Sequence, residues 1–252
     1  MNRAGDCSNK MSEVLERISQ IYEFINSLDY SSLNQSYQKR KDISEKLGAN
    51  GWVISQNLTP ANASEWLRKI ESNGEEVILN EFSEQEIDAM IDKGVKKFCE
   101  NPERLYFEKG VENYFSGRYT ETAIFWICLL DYKITKITPK ELRKKVKQCN
   151  EGLNKAGEQL FQKAQERTAT KVLFLCDYLP SFSKFATRVF VDGEKYDFDK
   201  GVEPPYLNRN WLLHGKMTRR IKRYECIQIL NAINTLCDME ADLQWQTENG
   251  VG

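Results

Sequence analysis

The chain holds a single histidine, His214, so one side chain alone has an ordinary pKa near neutrality. It lacks a charge excess of either sign, with 36 Lys and Arg against 37 Asp and Glu and a net charge of -1. That balance argues against coating nucleic acid through bulk charge and leaves room only for a local basic patch. It lacks a long apolar run: Ala123 to Leu130 is the longest, far short of the roughly 20 residues that a membrane helix needs. The amino-terminal MNRAGDCSNK has no apolar signal core, so the expectation is a soluble cytoplasmic protein without a membrane partner. Seven cysteines are scattered, and no two stand at C-x-x-C spacing. No zinc site is expected from that pattern, and reduced cysteines such as Cys128 read as small core residues. No glycine-rich phosphate loop and no carboxylate cluster of magnesium type occurs, so no metal and no cofactor is expected.

What is present is helical periodicity. Val14, Leu15, Ile18, Ile21, Tyr22, Ile25 and Leu28 form one stripe. A weaker helix spans about 33–47, with Gly48 placed to end it. The pattern breaks around Gly51-Trp52. Thr59-Pro60 starts a helix through Trp66, Leu67 and Ile70, which Asn73-Gly74 stops. Ser83 and Glu86 make a capping box for a helix carrying Ile87, Met90, Ile91, Val95 and Phe98. Asn101-Pro102 starts the next, which runs to Phe115. Beyond Gly117, the stretch from Tyr119 to Ile134 is apolar nearly all round and predicts a buried central helix. Three more helical pieces are expected over 140–147, 153–166 and 169–179. After Pro180 the segment 189–198 reads either as a small β-hairpin turning at Asp192-Gly193 or as an irregular loop. Asn208 can cap a short helix reaching His214, Gly215 interrupts it, and Thr218 can cap a long final helix. The fold class is therefore all-α. An N-terminal helical region over 1–80 precedes a larger helical domain over 83–245, with the boundary near 72–83. Trp52 and Trp66 can stack bases, but packing in a core or an interface is the more common use of tryptophan.

One constellation carries chemistry. Asn210 stands four residues before His214, one helical turn away on the same face, and Arg209 stands five before it. A guanidinium can hold a phosphate through two parallel hydrogen bonds, an imidazole can pass protons at neutral pH, and an amide can orient either one. Together they suit metal-free cleavage of a phosphodiester by the neighbouring ribose 2'-OH. A lone histidine is more often structural than catalytic, and the setting here favours the second use. The motif follows Pro204-Pro205 and opens a helix. A basic run follows it: Lys216, Arg219, Arg220, Lys222 and Arg223, with no acid until Glu225. Such a run is either a solvated face or a track for RNA phosphates. Asp131 lies within the apolar helix, where a carboxylate needs a partner if it is buried. Arg209 is the candidate partner, and a surface position for Asp131 is the alternative.

Asn208-Arg209-Asn210-Trp211-Leu212-Leu213-His214-Gly215 resembles the Arg-x4-His signature of the HEPN superfamily (higher eukaryote and prokaryote nucleotide-binding domains). Gly117-Arg118-Tyr119 through Ala123-Ile124 to Leu129-Leu130-Asp131 resembles a helix common in its bacterial members. The likeness covers roughly 83–245. Many bacterial relatives carry a second histidine where this chain has Asn210, and Asp-Gly where it has Asp131-Tyr132. The resemblance implies a helical bundle that forms a homodimer, with two copies of the motif meeting across the interface. It also implies metal-independent endoribonuclease activity of a toxin or phage-defence type. A second copy would supply the second proton carrier that one histidine cannot. Otherwise Tyr206 or Lys216 would have to serve, at less suitable pKa. The alternative reading is a non-catalytic immunity protein or antitoxin of the same scaffold, whose partner is a protein toxin rather than RNA. A plain helical dimerisation module is a third.

Overall fold

The structure, a computed structural model, describes residues 31–55, 60–137, 177–190, 199 and 201–248. The regular structure among these residues is helical and includes no strand. The stripe over 14–28 and the pieces expected over 140–147, 153–166 and 169–176 lie outside them. No helix among the described residues is long and apolar enough to cross a membrane.

Helix α1, Ser31–Ala49, packs chiefly on α6, Leu179–Phe190. Gly48 does not end α1. It lets the two helices approach, because a Cβ there would stand 2.0 Å from the Ser181 carbonyl oxygen. The stop falls at Gly51, whose φ of +83° is the left-handed conformation that glycine adopts without strain. Helix α2, Pro60–Asn73, leads into a 3-10 helix, Glu75–Glu81. Helix α3, Glu84–Lys97, begins at the expected capping box. The Ser83 hydroxyl accepts from the Glu86 amide at 3.2 Å, and the Glu86 carboxylate accepts from the Ser83 amide at 2.7 Å. Helix α4, Glu103–Phe115, packs on α5, Tyr119–Ile137. Short α7, Arg209–Leu213, and long α8, Arg223–Glu248, complete the described elements.

Helix α5 is the buried centre that its composition predicts. Ala123, Trp126, Ile127, Leu129 and Leu130 are fully enclosed, and α4, α7 and α8 pack around them. Ile127, Leu129 and Leu130 each contribute about 1.5–3 kcal/mol of burial free energy. Trp52 and Trp66 are core residues: with Phe82 they form a cluster whose ring centroids lie 5.4–6.0 Å apart. The hydrophobic core runs unbroken from Leu47 to Cys237, so the described part of region 1–80 shares it with the residues beyond 83. Polar side chains of α8 tie the two stretches together. Gln228 donates to the Asn50 carbonyl at 3.1 Å, and Asn231 to that of Val53 at 2.5 Å. Cys226 and Cys237 are buried, as expected of core cysteines, whereas Cys128 is only half-buried and Cys99 is exposed.

Two local expectations are corrected. Val189 and Phe190 are the last residues of α6, not the first strand of a hairpin, and 191–198 lie outside the described residues. Pro180 is the second residue of that helix and follows directly on π-helical residues 177–178. Thr218 does not cap the final helix. Its amide and hydroxyl both go to Glu203, and α8 begins at Arg223.

Candidate functional site

The site begins with a cap. The Asn208 side chain accepts from the amides of Asn210 at 3.0 Å and Trp211 at 3.3 Å, which starts α7 where the sequence places it. One turn of helix then sorts its side chains. Trp211 and Leu212 are buried, while Arg209 and Asn210 are half-buried and His214 is exposed. The His214 amide bonds the Asn210 carbonyl at 3.1 Å, so the two residues share a face across that turn. Gly215 follows with φ +67°, and the Lys216 and Met217 amides close back on the Trp211 carbonyl at 3.0 and 3.1 Å.

Arg209 does find Asp131. Its Nη2 donates to Asp131 Oδ2 at 3.0 Å, and its Nη1 donates to Asn210 Oδ1 at 3.0 Å. A carboxylate from the central helix therefore holds the guanidinium, which in turn holds the amide of the next residue. The pair is only partly buried, with 34% of the Arg209 side chain and 38% of the Asp131 side chain exposed. Its worth to stability is at the low end, up to about 1 kcal/mol. Arg209 Nε is buried without a hydrogen-bond partner among the described residues. Cys128 lies one turn before Asp131. Burial pushes its thiol pKa up, Asp131 pushes it further, and Arg209 opposes, so this thiol is a poor nucleophile at neutral pH.

Tyr206 is half-buried, and the Arg188 guanidinium stacks 4.4 Å from its ring centroid. Arg188 also donates to the Ala49 carbonyl and to Glu75, each at 2.7 Å. The contacts thus place Tyr206 in a packing role that joins the α7 approach to the end of α1.

The basic run is not a bare row of cations. Arg219 makes two hydrogen bonds, 2.8 and 2.6 Å, to Glu225, which is 1% exposed. Burial opposes the Arg219 charge, but Glu225 outweighs it and raises the arginine's pKa. Lys222 reaches Glu76 at 2.9 Å. Arg223 reaches both Glu84 oxygens at 2.7 Å and the Tyr114 hydroxyl at 2.8 Å, and its pKa is raised chiefly by Glu84. Lys216 and Arg220 remain exposed.

Sequence reasoning missed Glu203. This carboxylate accepts from the Thr218 amide at 3.0 and 3.1 Å, from the Arg219 amide at 3.2 Å and from the Thr218 hydroxyl. Burial works against its charge, but these hydrogen bonds prevail and hold its carboxyl below the ordinary value. No local pattern signals a contact spanning 15 residues. Glu225 did leave a signal. It stands three residues after Lys222 and accepts that residue's amide at 2.9 Å, the spacing of a helix-capping acid.

The arrangement defines a helical domain that presents a half-buried arginine, an amide and an exposed imidazole from one short helix. No group of three His, Cys, Asp or Glu side chains among the described residues is placed to hold a metal ion. Comparison of the chain with family models, with curated proteins and with solved structures gave no match.

Proposed function

We propose that the chain is an endoribonuclease of the HEPN type, cleaving RNA without a metal in a toxin or phage-defence role. The observation that carries this reading is the Asp131–Arg209–Asn210 chain of hydrogen bonds beside an exposed His214 one turn on. A guanidinium fixed by a carboxylate is preorganised and needs little rearrangement to meet a phosphate. In the reaction, the ribose 2'-oxygen attacks phosphorus and gives its proton to an imidazole. The 5'-oxygen leaves with a proton from a second carrier, and a 2',3'-cyclic phosphate remains. Arg209 stabilises the charge that builds on the phosphoryl oxygens. The second carrier is His214 of a second copy, which makes the working unit a homodimer. Lys216 and Arg220 are exposed cations that would guide the RNA backbone.

The direct experiment compares wild type with His214→Ala and Arg209→Ala on total RNA in EDTA. Cleavage by wild type, lost in both folded variants, is expected. An inert wild type, or an active His214→Ala, contradicts the proposal.

The ion pairs of the basic run favour a second reading. Arg219, Lys222 and Arg223 hold carboxylates of their own chain, and the net charge is -1. A non-catalytic immunity protein or antitoxin that binds a protein toxin fits such a neutral surface. Protection of cells from a toxin that survives His214→Ala would select it.

A further inference from the structure

The short helix α7 depends on its surroundings for its position. Five residues make barely more than one turn, and an isolated helix of that length is unstable in water. Its entry is anchored by Asn208, buried and bonded to the first amides. Its exit is another matter. His214 is exposed, Gly215 is in the left-handed region, and the chain runs on to Arg223 before the next helix begins. Backbone bonds to the Trp211 carbonyl account for Lys216 and Met217. The next two amides, those of Thr218 and Arg219, go to one carboxylate, Glu203, which precedes α7. The Thr218 hydroxyl adds a further bond to it.

We propose that Glu203 is a positioning residue for His214. Its carboxylate closes residues 203–218 into a ring, and the whole Asn208–Gly215 motif lies inside that ring. The Arg219 side chain locks the far side of the ring to buried Glu225, so the clamp is fastened to α8 and cannot drift as a unit. Without it, the segment that leaves the motif loses its tie back to residue 203, and the exit turn that carries the imidazole shifts with that segment. The role in catalysis rests on reading His214 as a proton carrier; the clamp itself does not.

The single histidine makes the test clean, because the imidazole ring protons of the full-length chain form one set of proton NMR signals. Those signals are compared in wild type, Glu203→Gln, Thr218→Val and Lys69→Ala, the last removing an unrelated surface ion pair with Glu81. Displaced or broadened imidazole signals in folded Glu203→Gln are expected, with a smaller change in Thr218→Val and none in Lys69→Ala. RNA cleavage by Glu203→Gln should fall about tenfold in kcat with KM nearly unchanged, a modest case of the loss that misplaced groups cause. A merely structural glutamate would lower the melting temperature and leave the imidazole signals where they were. That result in folded Glu203→Gln overturns the proposal. If Glu203→Gln fails to fold, Thr218→Val decides, since it keeps both backbone bonds, and unchanged signals there overturn it too. Absence of any cleavage by wild type counts against the ribonuclease reading alone, because the NMR comparison is unaffected by it.

Discussion

Two adjoining stretches, the Arg209–His214 turn and the basic run from Lys216 to Arg223, look equally functional as sequence and differ in the fold. In the first, the arginine is held by a carboxylate in a half-exposed setting, and the histidine faces solvent. In the second, Arg219 is taken up by buried Glu225, while Lys222 and Arg223 pair with the exposed carboxylates of Glu76 and Glu84. A charge is available to a ligand only to the extent that its own chain leaves it so. Arg219 pairs with a carboxylate of 1% exposure and is part of the framework, whereas Arg209 pairs at a surface from which a phosphate can compete.

The largest expected effect tests the first stretch. His214→Ala should reduce RNA cleavage by about 100-fold or more, the scale of lost acid–base catalysis, with the melting temperature unchanged. The next tests the framework role of the second stretch. Glu225→Ala leaves the Arg219 charge half-buried and unpaired and removes the acceptor of the Lys222 amide. It should cost about 3 kcal/mol in chemical denaturation. Asp131→Asn should do the opposite: a stability loss below about 1 kcal/mol, with cleavage down about tenfold as Arg209 loses its carboxylate. If Asp131→Asn destabilises more than Glu225→Ala, the contrast between the stretches is wrong.

Acid should act on the clamp. Glu203 has a folded pKa below its unfolded one, so its contribution is present above the unfolded value and fades as pH falls through the folded value. Stability measured against pH should therefore lose part of its acid-side decline in Glu203→Gln. The smallest effect belongs to Lys222, whose pair with Glu76 is more than half exposed on both sides. Lys222→Ala should change stability by less than about 1 kcal/mol. If this lysine nonetheless contacts RNA, the salt dependence of binding should weaken by about one unit of slope.

Much of this is legible in the sequence. The Ser83 capping box, the Asn208 cap and the apolar run from Ala123 to Leu130 are local patterns, and local chemistry decides them. A carboxylate in an apolar helix makes Arg209 the candidate partner of Asp131 and leaves a surface position as the alternative; the pair forms, and it is part-exposed. Where reading failed, distant partners decided. Val189 and Phe190 carry strand-like side chains, yet packing of α6 against α1 keeps them helical. Thr218 has the chemistry of a helix cap, but Glu203 takes its amide and hydroxyl, and Glu225 starts the helix later. Gly48 looks like a stop, and only the neighbouring Ser181 backbone reveals that close approach is its purpose. The sequence displays the charges of the basic run, but their partners on the 3-10 helix and α3 emerge only from the fold.

The most direct measurement is the end group left on a defined oligoribonucleotide incubated with the full-length protein in EDTA, beside an all-deoxy copy of the same strand. A 2',3'-cyclic phosphate on the ribose substrate, an untouched deoxy strand and no product with His214→Ala are the expected result. Cleavage of the deoxy strand, a plain 3'-hydroxyl product, or no cleavage by wild type would contradict it.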